Sequence, residues 1–512
     1  MSNASLQPLE LSGAPLSIAD VVDVARHGRS VTLSDSARAA VQHARDVVDT
    51  VAAGNEAVYG VNTGFGSLSR HRIDATELEA IQCNIVRSHA AGVGDPLDVE
   101  VVRAMLLALA ASLSRGASGV QEKTLDALIA LLNAGITPVV PEIGSVGASG
   151  DLAPLAHAAL ALLGEGDVLV DGRTLPAAEA LATAGIEPVR LGAKEGLALL
   201  NGTHLMAGMS ALALFDASRL MDAAVGAAGM AIDACRGSVA PLDDRVHVLR
   251  NQPGQRRIAT ALRTLLEGST IGPDHAQDDP RVQDPYSLRA MPQVIGAVLD
   301  ALQHATAILQ NELGAVTDNP LIVEDGTLVS GANFHGMPLA LAADAAITAL
   351  THLAGIAERR MFWILSGHDG VNPVPAHLSP EPGLHSGLMI VQYTAAACCN
   401  ELRALAYPAS VGNISTSAGI EDYNSMGATS ARRLRQAVRL ANDVVAMELL
   451  LMAEGLYHQR PLRSGAGVEA VHGVIRAHVD CLTEDRSPAG DIACIAALIH
   501  SGALPTIDLG LA

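Results

Sequence analysis

At 512 residues the chain is long enough for roughly three domain-sized units, or two large ones, each with a substantial core. Apolar residues make up 49% but aromatics only 2%, so the core must be built from Ala, Leu, Val and Ile, a composition that favours closely packed helices. A net charge of −21 excludes recognition of nucleic acid through phosphate neutralisation, and so few aromatics leave little to stack on bases.

The N-terminal stretch MSNASLQPLELSGAP has no basic start followed by an apolar segment, so no signal peptide is expected. Glycine-rich YGVNTGFG at 59–66 marks a loop. From about residue 100 helical periodicity dominates. The apolar run Ala104–Leu113, flanked by Arg103 and Arg115, is shorter than the ~18 residues a membrane span requires, and no membrane segment is expected. Strand signals are confined to Asp167–Val170 before Asp171-Gly172 and Pro320–Val323 before Asp325-Gly326. Ile295, Val298, Leu302, Ala305, Leu309 and Leu313 draw one long helical stripe, and Leu434, Ala437, Val438, Ala441, Val444 and Val445 draw another.

The pattern predicts a mainly α protein, with a loop-rich N-terminal domain over 1–220 and a long-helix bundle over 221–512. Ala-rich helices of this length complete their cores against other subunits, so a homo-oligomer is expected. The six cysteines, at 83, 235, 398, 399, 481 and 494, show no CxxC pair and read as reduced thiols, which fits the cytoplasm.

Residues 144–151, GSVGASGD, form the most deformable loop of the first third. A phosphate loop would need a lysine where Asp151 stands, the dinucleotide fingerprint fails on glycine spacing, and a nucleophile elbow would need glycine in place of Asp151. One reading is a helix start, with Ser149 or Asp151 as cap. The other is chemistry on the backbone. If the loop is forced tight, the Gly150 nitrogen can close on the Ala148 carbonyl carbon with loss of water. Loss of the Ser149 hydroxyl as a second water would leave an electron-poor methylidene.

GSVGASGDLAPLAHAAL resembles the signature of the aromatic amino-acid ammonia-lyases, which form 4-methylidene-imidazol-5-one (MIO) from Ala-Ser-Gly. The likeness continues in order through YGVNTGFG at 59–66, RSHAAGVG at 87–94, KEGLALLNGTH at 194–204, QDPYSLR at 283–289, TDNPL at 317–321, GANFHG at 331–336 and EDYNSMG at 421–427. Within the family the chain is most similar to the histidine-acting members. The resemblance implies a helix bundle of the fumarase/aspartase-like type and MIO built from Ala148, Ser149 and Gly150 within 143–152, with no external cofactor. It also implies a homotetramer whose active sites are shared, with Tyr59 and Glu421 on chains other than the one supplying Ser149.

Elimination of ammonia is difficult because the amine leaves poorly and the Cβ proton is scarcely acidic. The electrophile answers the first difficulty and a positioned base the second. By resemblance Tyr59 takes the Cβ proton, Arg289 binds the substrate carboxylate, and Gln283, Tyr286 and Asn201 line the amine, carboxylate and prosthetic ring, with Tyr286 aiding proton transfer. His89 and Glu421 face the substrate ring and Phe334 packs against it. A glutamate can accept an imidazole N–H, whereas beside a phenyl ring it would be buried without return. Read as bare sequence, Tyr59 is also a residue packed at a turn, Arg289 a partner for Asp284, and Glu421 a helix-start acid.

Ile420-Glu421-Asp422-Tyr423 stands where histidine members usually read Gln-Glu-Asp-His, and Asn372-Pro373-Val374-Pro375-Ala376-His377-Leu378 departs from the family's proline-rich segment. These departures keep tyrosine or phenylalanine elimination, or a 2,3-aminomutase, open as alternatives, with an inactive helical scaffold as the non-enzyme reading. His335, His352, His368, His377 and His385 form no metal-ligand spacing, and no metal is expected.

Overall fold

The computed structural model describes residues 7–54, 56–64, 73–277, 279–367 and 369–511; of the positions singled out above, Phe65, Gly66 and His368 lie outside them. The chain forms two compact units. The first comprises Met1–Leu212, Ala307–Asp344 and Pro408–Arg432, and the second Ala213–Thr306, Ala345–Tyr407 and Arg433–Ala512.

In the first unit, local sequence sets the helix limits. Ser17 Oγ accepts from Asp20 N and Asp20 Oδ2 accepts from Ser17 N, a reciprocal box that opens the helix Ile18–His27. Gly28, at φ +69°, ends it. The apolar run becomes the helix Val99–Leu113, in which every residue from Val101 to Leu113 is buried. A helix that is apolar all round belongs at the centre of a core. Arg103 is tolerated there because its guanidinium donates to the carbonyls of Val24 and Leu132.

The strand predicted at Asp167–Val170 pairs antiparallel with Arg173–Pro176 across Asp171-Gly172, both at positive φ, as a tight hairpin requires. The second predicted strand shortens to Leu321–Ile322, paired with Leu328–Val329. Val93–Pro96 pairs antiparallel with Pro141–Ile143. That pairing brings the chain just after His89 beside the chain just before the GSVGASGD loop.

The second unit takes most of four long helices, His204–Ala234, Met291–Glu312, Met337–Leu365 and Gly427–His458. Both predicted stripes are buried, every member at 4% exposure or less. Small residues let the helices approach: a Cβ on Gly254 would lie 2.3 Å from the Gly296 carbonyl oxygen, where Pro253–Leu265 crosses Met291–Glu312. Arg360 and Glu448 form a fully buried ion pair between two of the long helices.

Among the described residues one helix, Met337–Leu365, contains an 18-residue stretch of mean hydropathy 1.6, enough by length and composition to cross a membrane. Of that stretch 61% is buried inside the protein, as in a core helix.

Candidate active site

The GSVGASGD loop is held tight from two sides, by Gly202 and by the Ser425-Met426 pair. Asp151 N donates to the Gly202 carbonyl at 2.7 Å, and Gly202 N donates to the Ser149 carbonyl at 3.2 Å. Met426 N donates to the Val146 carbonyl at 2.9 Å, and Ser425 Oγ to that of Gly147 at 3.2 Å. The glycines are required by space as well as by φ. Gly147 lies at +71° and Gly150 at +81°, and a Cβ would come within 2.1 Å of Ser425 Oγ or of the Gly202 oxygen.

A helix does start here, Leu152–Leu162 with Asp151 at its N-cap position, but the expected side-chain cap is corrected: the Asp151 carboxylate makes no cap bond to this helix. Its Oδ2 instead accepts from Leu205 N and Met206 N, both at 3.0 Å, and so caps the helix His204–Ala234 from a distant part of the chain. Asp151 is completely buried, and burial pushes its carboxyl up to about 7 against the pull of these amides.

A cavity of about 410 Å³ lies against Ser149, and Tyr59, His89, Asn201 and Glu421 stand on its walls with Leu197 and Ser417. Tyr59 is half-buried in a turn shaped by Asn62, whose Oδ1 accepts from Val58 N and whose Nδ2 donates to the Glu56 carbonyl. His89 ends the helix Leu78–His89, and its Nδ1 meets the Ile85 carbonyl at 2.9 Å. A carbonyl can only accept, so Nδ1 carries the proton and Nε2 is the ring's acceptor.

Asn201 Nδ2 donates to Asp318 Oδ1 at 3.3 Å and to the Asn319 carbonyl at 3.0 Å. Both partners are acceptors, which fixes the amide so that its oxygen remains for a donor. Asp318 is held in turn by Lys194, Nζ to Oδ2 at 2.6 Å, in a buried pair. Glu421 is not a helix-start acid. It pairs with Thr416 in an antiparallel bridge ahead of the helix Gly427–His458. Its Oε2 accepts from Thr416 Oγ1 at 3.0 Å, and its Oε1 lies 3.5 Å from Ser149 Oγ.

Over residues 16–477 the sequence matches the profile of aromatic amino acid lyases. The chain belongs to the aromatic amino acid lyase family. Among relatives of this lyase, histidine ammonia-lyase of Deinococcus radiodurans is 49% identical over 490 residues, covering 96% of this chain and 93% of the relative. A solved structure of tyrosine aminomutase from Streptomyces globisporus superimposes with a TM-score of 0.91 at 36% identity, covering 97% of each chain. Histidine ammonia-lyase from Trypanosoma cruzi gives 0.89 at 36% identity, with 97% of this chain and 94% of that one covered.

In this lyase, the expectation that Tyr59 and Glu421 reach Ser149 only from other chains is corrected: all three line one cavity within a single chain. Gln283, Tyr286 and Arg289 belong to the second unit, on a loop and the short helix Tyr286–Arg289. The Arg289 guanidinium stacks over the Tyr286 ring at 4.5 Å, and its Nε is buried with no hydrogen-bond partner among the described residues. Phe334 is half-buried and is not among the residues lining the cavity. No cluster of three or more His, Cys, Asp or Glu suited to a metal occurs among the described residues.

Sequence reasoning missed the groups that hold the lyase's loop. Asp151 was visible only as a cap. Lys194, Asp318 and Ser425 lie within KEGLALLNGTH, TDNPL and EDYNSMG, whose spacing carries no sign of which residue each supports. The residues present fit a cyclised Ala148-Ser149-Gly150: side chains are excluded at Gly147 and Gly150, and small or flexible groups surround the backbone that would close.

Proposed function

We propose that this lyase removes ammonia non-oxidatively from L-histidine to give trans-urocanate, using MIO formed from Ala148, Ser149 and Gly150. The observation that carries the substrate is the pair of acceptors, His89 Nε2 and the Glu421 carboxylate, on the wall of the Ser149 cavity. An imidazole ring can donate N–H to such groups and a phenyl ring cannot, so histidine offsets the cost of keeping them from water. The prosthetic ring supplies the electrophile that turns the amine into a leaving group.

The remaining work falls to side chains. Tyr59 takes the Cβ proton, a role worth ~10²- to 10⁴-fold. Arg289 pairs with the substrate carboxylate, which its unpartnered Nε and planar fork suit, and Gln283 and Tyr286 complete that end. Asn201 offers its oxygen to the substrate ammonium. Phe334 packs against the ring.

The protein acts in this reading as a cytoplasmic homotetramer, with the Gln283–Arg289 segment and Phe334 contributed by neighbouring copies. Exposed Ile414, Ile420 and Tyr423 in the first unit and Tyr286, Tyr393 and Tyr407 in the second support such assembly. Ile420 and Tyr423, with the likeness to tyrosine aminomutase, support a second reading in which tyrosine is the substrate and ammonia is returned at Cβ.

Incubation with L-histidine, L-tyrosine and L-phenylalanine, followed by ultraviolet absorbance and amino-acid analysis, separates these readings. Urocanate from histidine is expected. Turnover of tyrosine alone, to coumarate or β-tyrosine, would sink the histidine reading. Ser149→Ala is expected to abolish activity and to show the intact mass of its unmodified sequence, with no water lost.

A further inference from the structure

The segment that carries Gln283, Tyr286 and Arg289 is anchored by a residue to which neither the resemblance nor the motif assigns a role. Arg281 is half-buried, and its guanidinium spends each of its five N–H groups on the protein. Nε donates to Asp279 Oδ1 at 3.0 Å, and one terminal nitrogen donates to Asp279 Oδ2 at 2.7 Å and to the Arg236 carbonyl. The other donates to Asp369 Oδ2 at 2.9 Å and to the Cys235 carbonyl at 3.3 Å, with Asp284 Oδ1 at 3.7 Å.

The pairing holds Asp279 well below the usual carboxylate range, with its hydrogen bonds from Arg281 the largest cause. Asp284 is pinned a second time, its Oδ2 accepting from Ser238 N at 2.7 Å. Asp369 shapes its own loop by accepting from Val371 N through Oδ1 at 3.1 Å. In that loop Asn372 Nδ2 donates to the Ala234 carbonyl at 2.9 Å, one residue before Cys235. One cation therefore ties three strands of chain together: the 279–284 segment, the end of the helix His204–Ala234, and the 369–372 loop.

We infer that Arg281 is a positioning residue for the reaction: it fixes the backbone from which Gln283 and Arg289 reach the substrate carboxylate, and couples that segment to the 369–372 loop. Val282 and Gln283, immediately beside it, are exposed in the single chain, so packing within that chain does not hold them. Lysine cannot replace it, because a point ammonium has three donors and no fork to span two carboxylates and two carbonyls. The inference rests on the proposed function in that Gln283 and Arg289 are taken to bind the substrate.

The test uses full-length Arg281→Lys. Its readouts are thermal melting, intact mass, KM and kcat on L-histidine, hydrogen exchange at the amides of 282–290, and emission from Trp363. Trp363 is the chain's single tryptophan and lines a cavity with Pro285 and Tyr286. The variant is expected to fold and to lack the two waters as its parent does. Its KM is expected to rise by about tenfold or more, the scale of a small misplacement of substrate groups, with a lesser fall in kcat. Exchange at 282–290 should quicken and Trp363 emission should shift.

A variant with a lower melting temperature but the parent's KM and exchange would reduce Arg281 to a structural ion pair and overturn the inference. If Arg281→Lys does not fold, Asp369→Asn, which keeps the side-chain shape and removes one charge, carries the same readouts and the same outcomes. Should the parent turn over no amino acid, the proposed function fails. Faster exchange at 282–290 would then still establish the anchoring, and unchanged exchange would overturn it.

Discussion

Glu421 and Asp151 stand close to Ser149, in space or in sequence, and their carboxyl groups do different work. Glu421 is half-buried and retains capacity to accept beyond Thr416. Glu421→Gln weakens a charge-assisted bond worth ~1.5–3 kcal/mol. It should lower kcat/KM on L-histidine by about 10- to 100-fold while leaving any turnover of phenylalanine unchanged, as parallel kinetics would show. Asp151 should be seen in stability. Its folded pKa of about 7 lies above the unfolded value near 3.9, so the folded state holds the proton more tightly. Its contribution is fully favourable below the unfolded value and is lost as pH rises to about 7, by roughly 1.4 kcal/mol per unit at most. Urea titrations from pH 4 to 8 should show this decline in the parent and not in Asp151→Asn, which does not titrate. That Tyr59, His89, Asn201 and Glu421 gather around Ser149 was legible in the sequence through the family's ordered motifs. Asp151 was misread because a cap is inferred from the helix that follows, and nothing local says that a carboxylate serves a helix beginning 53 residues later.

Among the elements, the long helices were the most legible, since a stripe repeated over many turns leaves a helix only one face to bury. Their limits and the pairs between them were not. Arg360 and Glu448 are 88 residues apart and read as ordinary charges of amphipathic helices, yet both are fully buried. Arg360→Met should destabilise the protein by about 3–5 kcal/mol because it strands the Glu448 carboxylate, whereas adding Glu448→Met should recover most of that loss. Melting curves of the two variants test the difference. The Gly254 and Gly296 contact gives a second case. Alanine at either position has no room at the crossing, so a loss in melting temperature is expected despite alanine's better helix propensity.

At the scale of the whole molecule, composition anticipated a helical protein, and the exposed apolar side chains mark where the proposed assembly can be tested. Ile414 and Ile420, at 60% and 68% exposure, are poor surface residues for a solitary chain. Replacing both with glutamate should convert the proposed tetramer into smaller species on light scattering, with loss of activity if neighbouring copies share the site. The sequence could not show which motifs meet within one copy, because that depends on chain path and not on pattern. The contacts that tighten the GSVGASGD loop bear on when the proposed MIO can form. Its partners, Gly202 and the Ser425-Met426 pair, are synthesised after it, the latter close to 280 residues later. A ribosome-bound chain ending short of Ser425 lacks one of the two restraints. The proposed MIO would therefore form late, and freshly made protein should show a lag during which it is folded, two waters heavier, and inert.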